Sequence, residues 1–217
     1  MLKLFSFART LFQKPRPFIN TQNFWESRYA SGGNSGDGSY GRLAAFKADV
    51  LNKFLEENSI NTAIEFGCGD GHQLGLINYK NYLGLDISES VVNACRKKYA
   101  NDSSKVFLVN NEESIKSLNS RDKAELGVSM DVLYHLIEDD LFERYMNLLF
   151  GQAQKFVIIY STNVNKRDTD HVLHRKFTDW IVANKPGWTL IKEIENPYPG
   201  VGVQKSFANF FIYKKIV

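Results

Sequence analysis

The feature that most constrains the fold is a pair of short apolar strands joined by a glycine-rich loop. Residues 63–71 read Ala-Ile-Glu-Phe-Gly-Cys-Gly-Asp-Gly, so a strand opens into a loop with glycine at 67, 69 and 71. Residues 82–88 read Tyr-Leu-Gly-Leu-Asp-Ile-Ser, a second strand that ends in the carboxylate of Asp86. Asp86 follows Gly67 by about 20 residues, the spacing of a strand–loop–helix–strand unit that holds a ribose. The sequence therefore predicts an α/β fold in which Asp86 accepts both ribose hydroxyls.

The spacing of the glycines and the residue before them indicate which nucleoside is bound. The loop is Gly-x-Gly-x-Gly, whereas a pyrophosphate on a helix N-terminus is typical of Gly-x-Gly-x-x-Gly. Glu65 lies two residues before the first glycine and would repel a phosphate but attract a cation. A ligand with adenosine, an ammonium and a sulfonium fits better than NAD, so the predicted cofactor is S-adenosylmethionine. His72, beside the loop, either contacts the cofactor or caps the short helix that follows.

Composition and charge narrow the function classes. A chain of 217 residues predicts one domain, and 43% apolar residues are enough for a full core. A net charge of +3 without a long basic run does not indicate nucleic-acid binding. Two cysteines without metal spacing predict a reducing, cytoplasmic environment, and no apolar run approaches the roughly 20 residues of a membrane span. The cationic, apolar residues 1–17 are expected to form a packed or frayed arm, or else to lie on a membrane surface.

The order of predicted elements gives the fold class. Apolar periodicity predicts helices near 40–56, 72–78, 91–99, 140–150 and 177–183, and strands near 61–66, 81–85, 106–109, 126–130, 156–160, 188–194 and 207–213. Ser88 is expected to cap the third helix, and Asp140-x-x-Glu143 resembles a capping box. Alternation of strands and helices predicts a doubly wound Rossmann-like sheet of about seven strands with an antiparallel C-terminal strand. Ligands in such sheets bind beyond the carboxyl ends of the strands.

These motifs resemble those of class I S-adenosylmethionine-dependent methyltransferases, over nearly all of the chain from Phe24 onward. Residues 65–71 match the first motif of that family, and residues 129–135 resemble the segment after the fourth strand. The resemblance implies that the glycine loop passes beneath the methionine part and that Ile87 flanks adenine. It also implies an adenine-edge contact from Asn110–Glu112, where the family often has an aspartate.

The segment 24–40 resembles a bacterial subgroup that is often associated with surface-polysaccharide biosynthesis, as do residues 160–163 and 171–177. Arg28 and Tyr29 are expected to cover the cofactor from an N-terminal lid, with a hinge in the glycine- and serine-rich residues 31–39. The alternative is a glycine-rich surface loop.

The expected organisation is an arm and lid over 1–38 and a methyltransferase domain over 39–217. The predicted cofactor site comprises Trp25, Arg28, Tyr29, Gly33, Ser35, Glu65, Gly67, Cys68, Gly69, Gly71, His72, Asp86, Ile87, Ser88, Asn110, Asn111, Met130 and Asp131.

Candidates for catalysis follow the fourth and fifth strands. His135 lies four residues after Asp131 and is either a base for a hydroxyl acceptor or a residue that packs within its helix. Tyr160 either lines the acceptor pocket or completes the core. His171, His174 and Arg175 follow a polar stretch after strand five, and together they suit an anionic acceptor. A zinc site is not expected, because no cysteine or further histidine accompanies the His-x-x-His pair.

The sequence thus predicts methyl transfer to a small, polar, anionic acceptor, with O-methylation preferred over N-methylation. The resemblance suggests a sugar derivative or a phosphate or phosphoramidate precursor of a surface polysaccharide. Nucleic acid is not expected as the acceptor, and the oligomeric state is left open. The alternatives are N-methylation of a small metabolite, a non-catalytic scaffold that binds the cofactor, and a nicotinamide-dependent enzyme, which Glu65 and the glycine spacing disfavour.

Overall fold

In a computed structural model of the chain, the structure describes residues 18–118 and 123–216. The predicted N-terminal arm over residues 1–17 lies outside the described residues. Within the described ranges the helices are α1 (Thr21–Ala30), α2 (Gly41–Glu57), α3 (Glu89–Lys98), α4 (Glu112–Ser117), α5 (Asp139–Gln152) and α6 (Phe177–Asn184). The strands are β1 (Thr62–Phe66), β2 (Asn81–Asp86), β3 (Lys105–Val109), β4 (Ala124–Met130), β5 (Ala153–Ser161), β6 (Lys166–Thr169), β7 (Val172–His174), β8 (Trp188–Ile194) and β9 (Asn209–Lys215).

Seven of these strands form one twisted sheet in the order β3-β2-β1-β4-β5-β9-β8. β1 to β5 run parallel, and β9 is antiparallel to both β5 and β8. The predicted α/β fold class and the antiparallel C-terminal strand are confirmed. The antiparallel strand β9 lies between β5 and β8, so the edge strand β8 runs in the same direction as the parallel strands.

Each face of the sheet carries its own apolar core. Along β5, Ile158 packs into the core beneath α2 and α3, whereas its neighbours Val157 and Ile159 pack into the core beneath α5 and α6. All three side chains are completely buried, as expected for a central strand covered on both faces. Because β1 and β4 are neighbours whose connections leave in opposite directions, a crevice opens beyond their carboxyl ends.

Three local predictions need correction. The predicted helix near 72–78 is a single 3₁₀ turn at Gln73–Leu76. The capping-box interpretation of Asp140 is wrong, because α5 begins at Asp139 after Glu138, which makes no side-chain cap. The polar stretch after β5 is a small hairpin, β6 paired antiparallel with β7, and not a loop. Its residues lack the apolar alternation by which a strand is recognised in sequence.

Candidate active site

The glycine loop after β1 is folded tightly against the end of β2. The backbone N–H groups of Gly67 and Cys68 both donate to the carbonyl of Leu85, at 2.6 and 3.0 Å. Gly69 has a positive φ of 55°, and Ser35 Oγ occupies the space that a Cβ atom would need. A side chain at this position would be both strained and in collision, which explains the glycine.

Asp86 is buried at the tip of β2 and is oriented by backbone donors. Its Oδ2 accepts from the N–H of Gly69 at 3.0 Å, and its Oδ1 accepts from the N–H of Ser88 at 3.0 Å. Burial raises the pKa of Asp86 to about 6, although the backbone hydrogen bonds oppose this shift. Each oxygen keeps acceptor capacity, so the carboxylate fits the ribose hydroxyls of an adenosine. Ser88 also caps α3, accepting from the N–H of Val91 at 3.3 Å as predicted.

Glu65 and Gln73 supply further acceptor oxygens at the cavity. Burial raises the pKa of Glu65 to about 7, while hydrogen bonding from Tyr82 at 2.7 Å lowers it. The side-chain Nε2 of Gln73 donates to the carbonyl of Ala44 at 3.0 Å. Among the described residues, its buried Oε1 has no hydrogen-bond partner. A buried acceptor without a donor is costly, so the ammonium of the predicted cofactor fits this place.

A lid, which we define as α1 and the following residues 31–39, lies over the glycine loop. Tyr29 and Ser35 bond to each other through their hydroxyls at 3.0 Å. Ser35 in turn exchanges two hydrogen bonds with Asp70, each 2.9 Å long, and Tyr40 donates to the same carboxylate at 2.7 Å. These contacts hold the glycine- and serine-rich segment directly against the glycine loop.

Two carboxylates fasten α1 at other points. Glu26 accepts from the hydroxyls of Ser88 (2.7 Å) and Ser90, which belong to the N-terminus of α3. Glu138, before α5, accepts from the N–H of Thr21 at 3.0 Å and from its hydroxyl at 2.6 Å. The helix thus bridges the β2 and β4 sides of the crevice.

An ion pair with a buried lysine lies where the lid approaches the end of β4. Lys47 on α2 donates to Asp131 Oδ2 at 2.6 Å, and the side chain of Lys47 is only 1% exposed. Tyr134 donates to the other carboxylate oxygen of Asp131 at 2.8 Å. Asp131 follows β4 with a φ of 59°, a conformation that few non-glycine residues adopt. Gly38 of the lid approaches the same carboxylate, since a Cβ on it would lie 2.9 Å from Asp131 Oδ2.

His135 forms part of the cavity wall, with its ring edge-on to Trp25 at 4.9 Å between centroids. Its Nδ1 lies 3.0 Å from the carbonyl of His171. A carbonyl can only accept, so Nδ1 carries the hydrogen and Nε2 keeps its lone pair. Burial lowers the pKa of His135 to about 4. The imidazole is therefore neutral at pH 7 and can accept a hydrogen bond.

The three residues that were predicted to bind an anionic acceptor, His171, His174 and Arg175, contact other residues of the protein. Arg175 donates to the carbonyls of Leu136 and Ile137 (3.0 Å to the latter) and to Asp139 at 2.6 Å. His174 bonds to Thr162 at 2.5 Å and to Asp168 at 3.0 Å. His171 stacks on Phe24 with a centroid distance of 4.4 Å. In this arrangement Arg175 braces the segment before α5 and is not part of the cavity wall, so its contact with the acceptor stays a prediction.

One cavity gathers many of the predicted residues. The predicted residues in its wall are Trp25, Tyr29, Ser35, Glu65, Gly67, Cys68, Gly69, Asp86, Ile87, Asn110, Met130, Asp131 and His135. The remaining predicted residues are not part of that wall: Arg28, Gly33, Gly71, His72, Ser88, Asn111, Tyr160, His171, His174 and Arg175. The wall also contains residues that the sequence analysis missed: Thr21, Ser39, Lys47, Asp70, Gln73, Val132, Leu136, Leu141 and Tyr145.

Several predicted residues outside the wall support residues within it. Arg28 donates to the carbonyl of Asn34 at 2.6 Å and so braces the lid. His72 stacks on Tyr40 at 4.2 Å, and Asn111 caps α4 by accepting from the N–H of Ser114. Tyr160 is buried at the end of β5 beneath the ammonium of Lys47.

The described residues contain no candidate for a metal site or for a membrane span. In residues 18–118 and 123–216 no three His, Cys, Asp or Glu side chains are gathered as metal ligands. Over the same ranges no helix has both the length and the apolar character needed to cross a bilayer. Cys68 and Cys95 are buried and free, and Cys95 Sγ lies 3.2 Å from the carbonyl of Gly69.

Part of the chain matches a known domain family. Residues 64–148 match the family model described as "Methyltransferase domain". The matched stretch runs from β1 to α5 and contains the glycine loop, Asp86 and His135. No curated protein matches the chain in sequence.

Solved structures share the fold at low sequence identity. The N-methyltransferase NodS from Bradyrhizobium japonicum, in complex with S-adenosylhomocysteine, has a TM-score of 0.70 and 13% identity, covering 91% of this chain and 99% of its own. Magnesium protoporphyrin IX methyltransferase from Synechocystis, with bound S-adenosylhomocysteine, has a TM-score of 0.63 and 14% identity, covering 89% and 97%. An S-adenosylmethionine-dependent methyltransferase from Clostridium acetobutylicum has a TM-score of 0.58 and 12% identity, covering 78% and 91%. These likenesses establish the fold.

Proposed function

We propose that this chain, a class I S-adenosylmethionine-dependent methyltransferase, methylates an anionic oxygen of a small polar acceptor. The matched domain family and the fold confirm the predictions of a methyltransferase and of S-adenosylmethionine as its cofactor. The acceptor and the atom methylated belong to the proposal. So does a role in surface-polysaccharide biosynthesis, in which a sugar derivative or a phosphate or phosphoramidate precursor would be the acceptor.

The lid supports a small acceptor. Trp25 and Tyr29 form part of the cavity wall, and Ser35 and Asp70 close the lid onto the glycine loop. The space beneath the lid is enclosed by side chains from α1, α2 and the strand ends, which suits a small molecule. A polymer would have to keep the lid open. We therefore do not expect nucleic acid as the acceptor.

His135 is the observation on which the choice of oxygen rests. A neutral alcohol must lose a proton on methylation, and near neutral pH a base with a pKa near 7 suits that task. The pKa of His135 is about 4, so it accepts a hydrogen bond but retains a proton poorly. An oxygen that is already ionised, as in a phosphate ester, needs no base. Among oxygen acceptors, the site therefore favours an anionic oxygen over an alcohol.

These contacts suggest separate roles for the cofactor and for the residues of the chain. S-adenosylmethionine, when bound, supplies the methyl group and the sulfur leaving group for an in-line displacement. Asp86 would hold the ribose, and Glu65 with Gln73 would face the ammonium. Asp131 and His135 lie in the wall of the same cavity, and there they would orient the acceptor oxygen. The closed lid excludes water, so the residues of the chain contribute alignment more than acid–base chemistry.

N-methylation of a small amine is the second candidate. It is favoured by one observation, the carboxylate of Asp131 on the cavity wall, which could bind an ammonium. The structurally similar NodS is described as an N-methyltransferase.

A paired acceptor screen separates the two candidates. Purified protein would be incubated with methyl-labelled S-adenosylmethionine and with sugar phosphates, sugar nucleotides, phosphoramidate and the matching amino sugars. We expect label in methyl esters of the phosphate or phosphoramidate groups, and none in the amino sugars. Label only in the amino sugars would establish the second candidate and refute an oxygen acceptor. Tight binding of S-adenosylhomocysteine without turnover on any acceptor would favour the scaffold alternative.

A further inference from the structure

Lys47 occupies an unusual place for a lysine. It lies on α2 with 1% of its side chain exposed, and it forms part of the wall of the cofactor cavity. Lysine is almost never fully buried unless it is paired. It lies on an otherwise apolar face of α2, between the buried residues Ala44 and Leu51.

Its contacts leave part of the ammonium without a partner. An ammonium has three N–H donors. Among the described residues, Lys47 Nζ makes one ion pair, with Asp131 Oδ2 at 2.6 Å. The ring of Tyr160 lies below it, with its centroid 5.3 Å from Nζ. The two remaining donors therefore have no oxygen to bond in the described part of the chain.

The surroundings hold the ammonium of Lys47 at the cavity, where its charge interacts with both Asp131 and Glu65. Asp131 divides its charge between Lys47 and the hydroxyl of Tyr134, and its backbone is held in a left-handed conformation. A non-glycine residue keeps this conformation only where the surrounding structure requires it. The strained turn points the carboxylate at Lys47 and at the lid residue Gly38. The ion pair is thus fixed where the lid, α2 and the end of β4 meet.

We infer that Lys47 is an anion-binding residue of this cavity, and that its free N–H donors bind an anionic oxygen of a ligand. Two ligands could supply that oxygen: the carboxylate of the methionine part of the cofactor, or the anionic group of the acceptor. The second source rests on the proposed function, whereas the first does not. Lys47 lies in the cavity wall, whereas Arg175 does not, so we assign the cation of the site to Lys47.

The test compares two cofactor analogues and an inorganic anion on Lys47→Met. S-adenosylhomocysteine carries both carboxylate and ammonium, whereas S-adenosyl-3-thiopropylamine keeps the ammonium and lacks the carboxylate. Calorimetry would measure both analogues, and then inorganic phosphate added to the protein saturated with S-adenosylhomocysteine. A lost charge-assisted hydrogen bond should weaken binding by at least about tenfold.

Two results would support the inference and also identify the source of the oxygen. If Lys47→Met loses affinity for S-adenosylhomocysteine but not for the amine analogue, Lys47 binds the cofactor carboxylate. If it loses only phosphate, Lys47 binds the acceptor anion. Lys47→Arg should retain the affinity in either case. Lys53→Met is the matched control, because Lys53 lies on the same helix with a side chain 71% exposed, and it should change neither affinity.

Other results would overturn the inference. Equal weakening of both analogues, or no change in any of the three ligands together with a lower melting temperature, would make Lys47 a structural partner of Asp131 only. If Lys47→Met does not fold, the double variant Lys47→Met/Asp131→Asn removes both charges and is measured in its place, with Asp131→Asn as its reference. The acceptor screen can fail without affecting the carboxylate result, so the two proposals fail separately.

Discussion

The pKa of His135 makes the stability of this protein depend on pH in a way that a single substitution should remove. The ring is held in the cavity wall by Trp25 and by the carbonyl of His171. Burial lowers its pKa to about 4, from about 6.5 in an unfolded chain. Because the unfolded chain takes up the proton first, the stabilisation is complete above pH 6.5 and is lost as the pH falls towards 4.

The magnitude follows from the two pKa values. Between pH 7 and pH 5 the unfolded chain gains about three-quarters of a proton at this residue, whereas the folded protein gains about a tenth. The free energy of unfolding should therefore fall by about 2 kcal/mol through His135 alone. In His135→Gln the side-chain amide can still donate to the carbonyl of His171, but it does not titrate.

Urea unfolding of both proteins at pH 7 and pH 5 measures this difference. Other groups, such as Glu65 and Asp86, titrate in both proteins, so their contributions to the free energy of unfolding cancel in the comparison. We expect the wild type to lose about 2 kcal/mol more than His135→Gln between the two pH values. Equal losses would refute the account of a neutral, buried His135, and with it the argument for an ionised acceptor oxygen.

Three further predictions concern the lid, the arginine and the ribose contact. Proteolysis within residues 31–39 should slow when S-adenosylhomocysteine is added, since Trp25 and Tyr29 would then close over ligand; equal cleavage would argue against a lid. Arg175→Ala should lower the melting temperature, because about three hydrogen bonds to residues 136–139 are lost, while the affinity for S-adenosylhomocysteine stays nearly intact. A raised acceptor KM with unchanged stability would restore the anion-binding role. The affinity of the wild type for S-adenosylhomocysteine should weaken as the pH falls through about 6, where Asp86 becomes protonated. Asp86→Asn should show a smaller pH dependence, and an equal dependence would place the titration elsewhere.

The cofactor half of the site was predictable because it depends on the backbone. A strand that ends in glycines and a second strand that ends in an acid can be recognised from spacing alone, and the parallel sheet brings both ends to one edge. Gly69 and Asp86 then bond directly, at 3.0 Å. The doubly wound sheet followed from the same reasoning, because right-handed crossovers leave few topologies for alternating strands and helices.

The acceptor half was harder to predict, because it depends on which polar groups are already satisfied. Arg175 looked free in sequence, yet its partners at 136–139 lie more than 30 residues earlier in the chain. Lys47 was missed for the converse reason, since a lysine on an apolar helix face gives no sequence signal of a buried ion pair. The hairpin after β5 was missed because its first strand is exposed and polar throughout.

Calorimetric titration of wild-type protein and Asp86→Ala with S-adenosylhomocysteine is the most direct test of the central claim. Asp86 is buried at the tip of β2, with both oxygens oriented by backbone N–H groups. Its loss would leave two ribose hydroxyls without an acceptor, at a cost of about 1.5–3 kcal/mol. We predict that the wild type binds the ligand and that a folded Asp86→Ala binds it at least about tenfold more weakly. Unchanged affinity in the folded variant would contradict the placement of the cofactor, and no binding by the wild type would contradict the function itself.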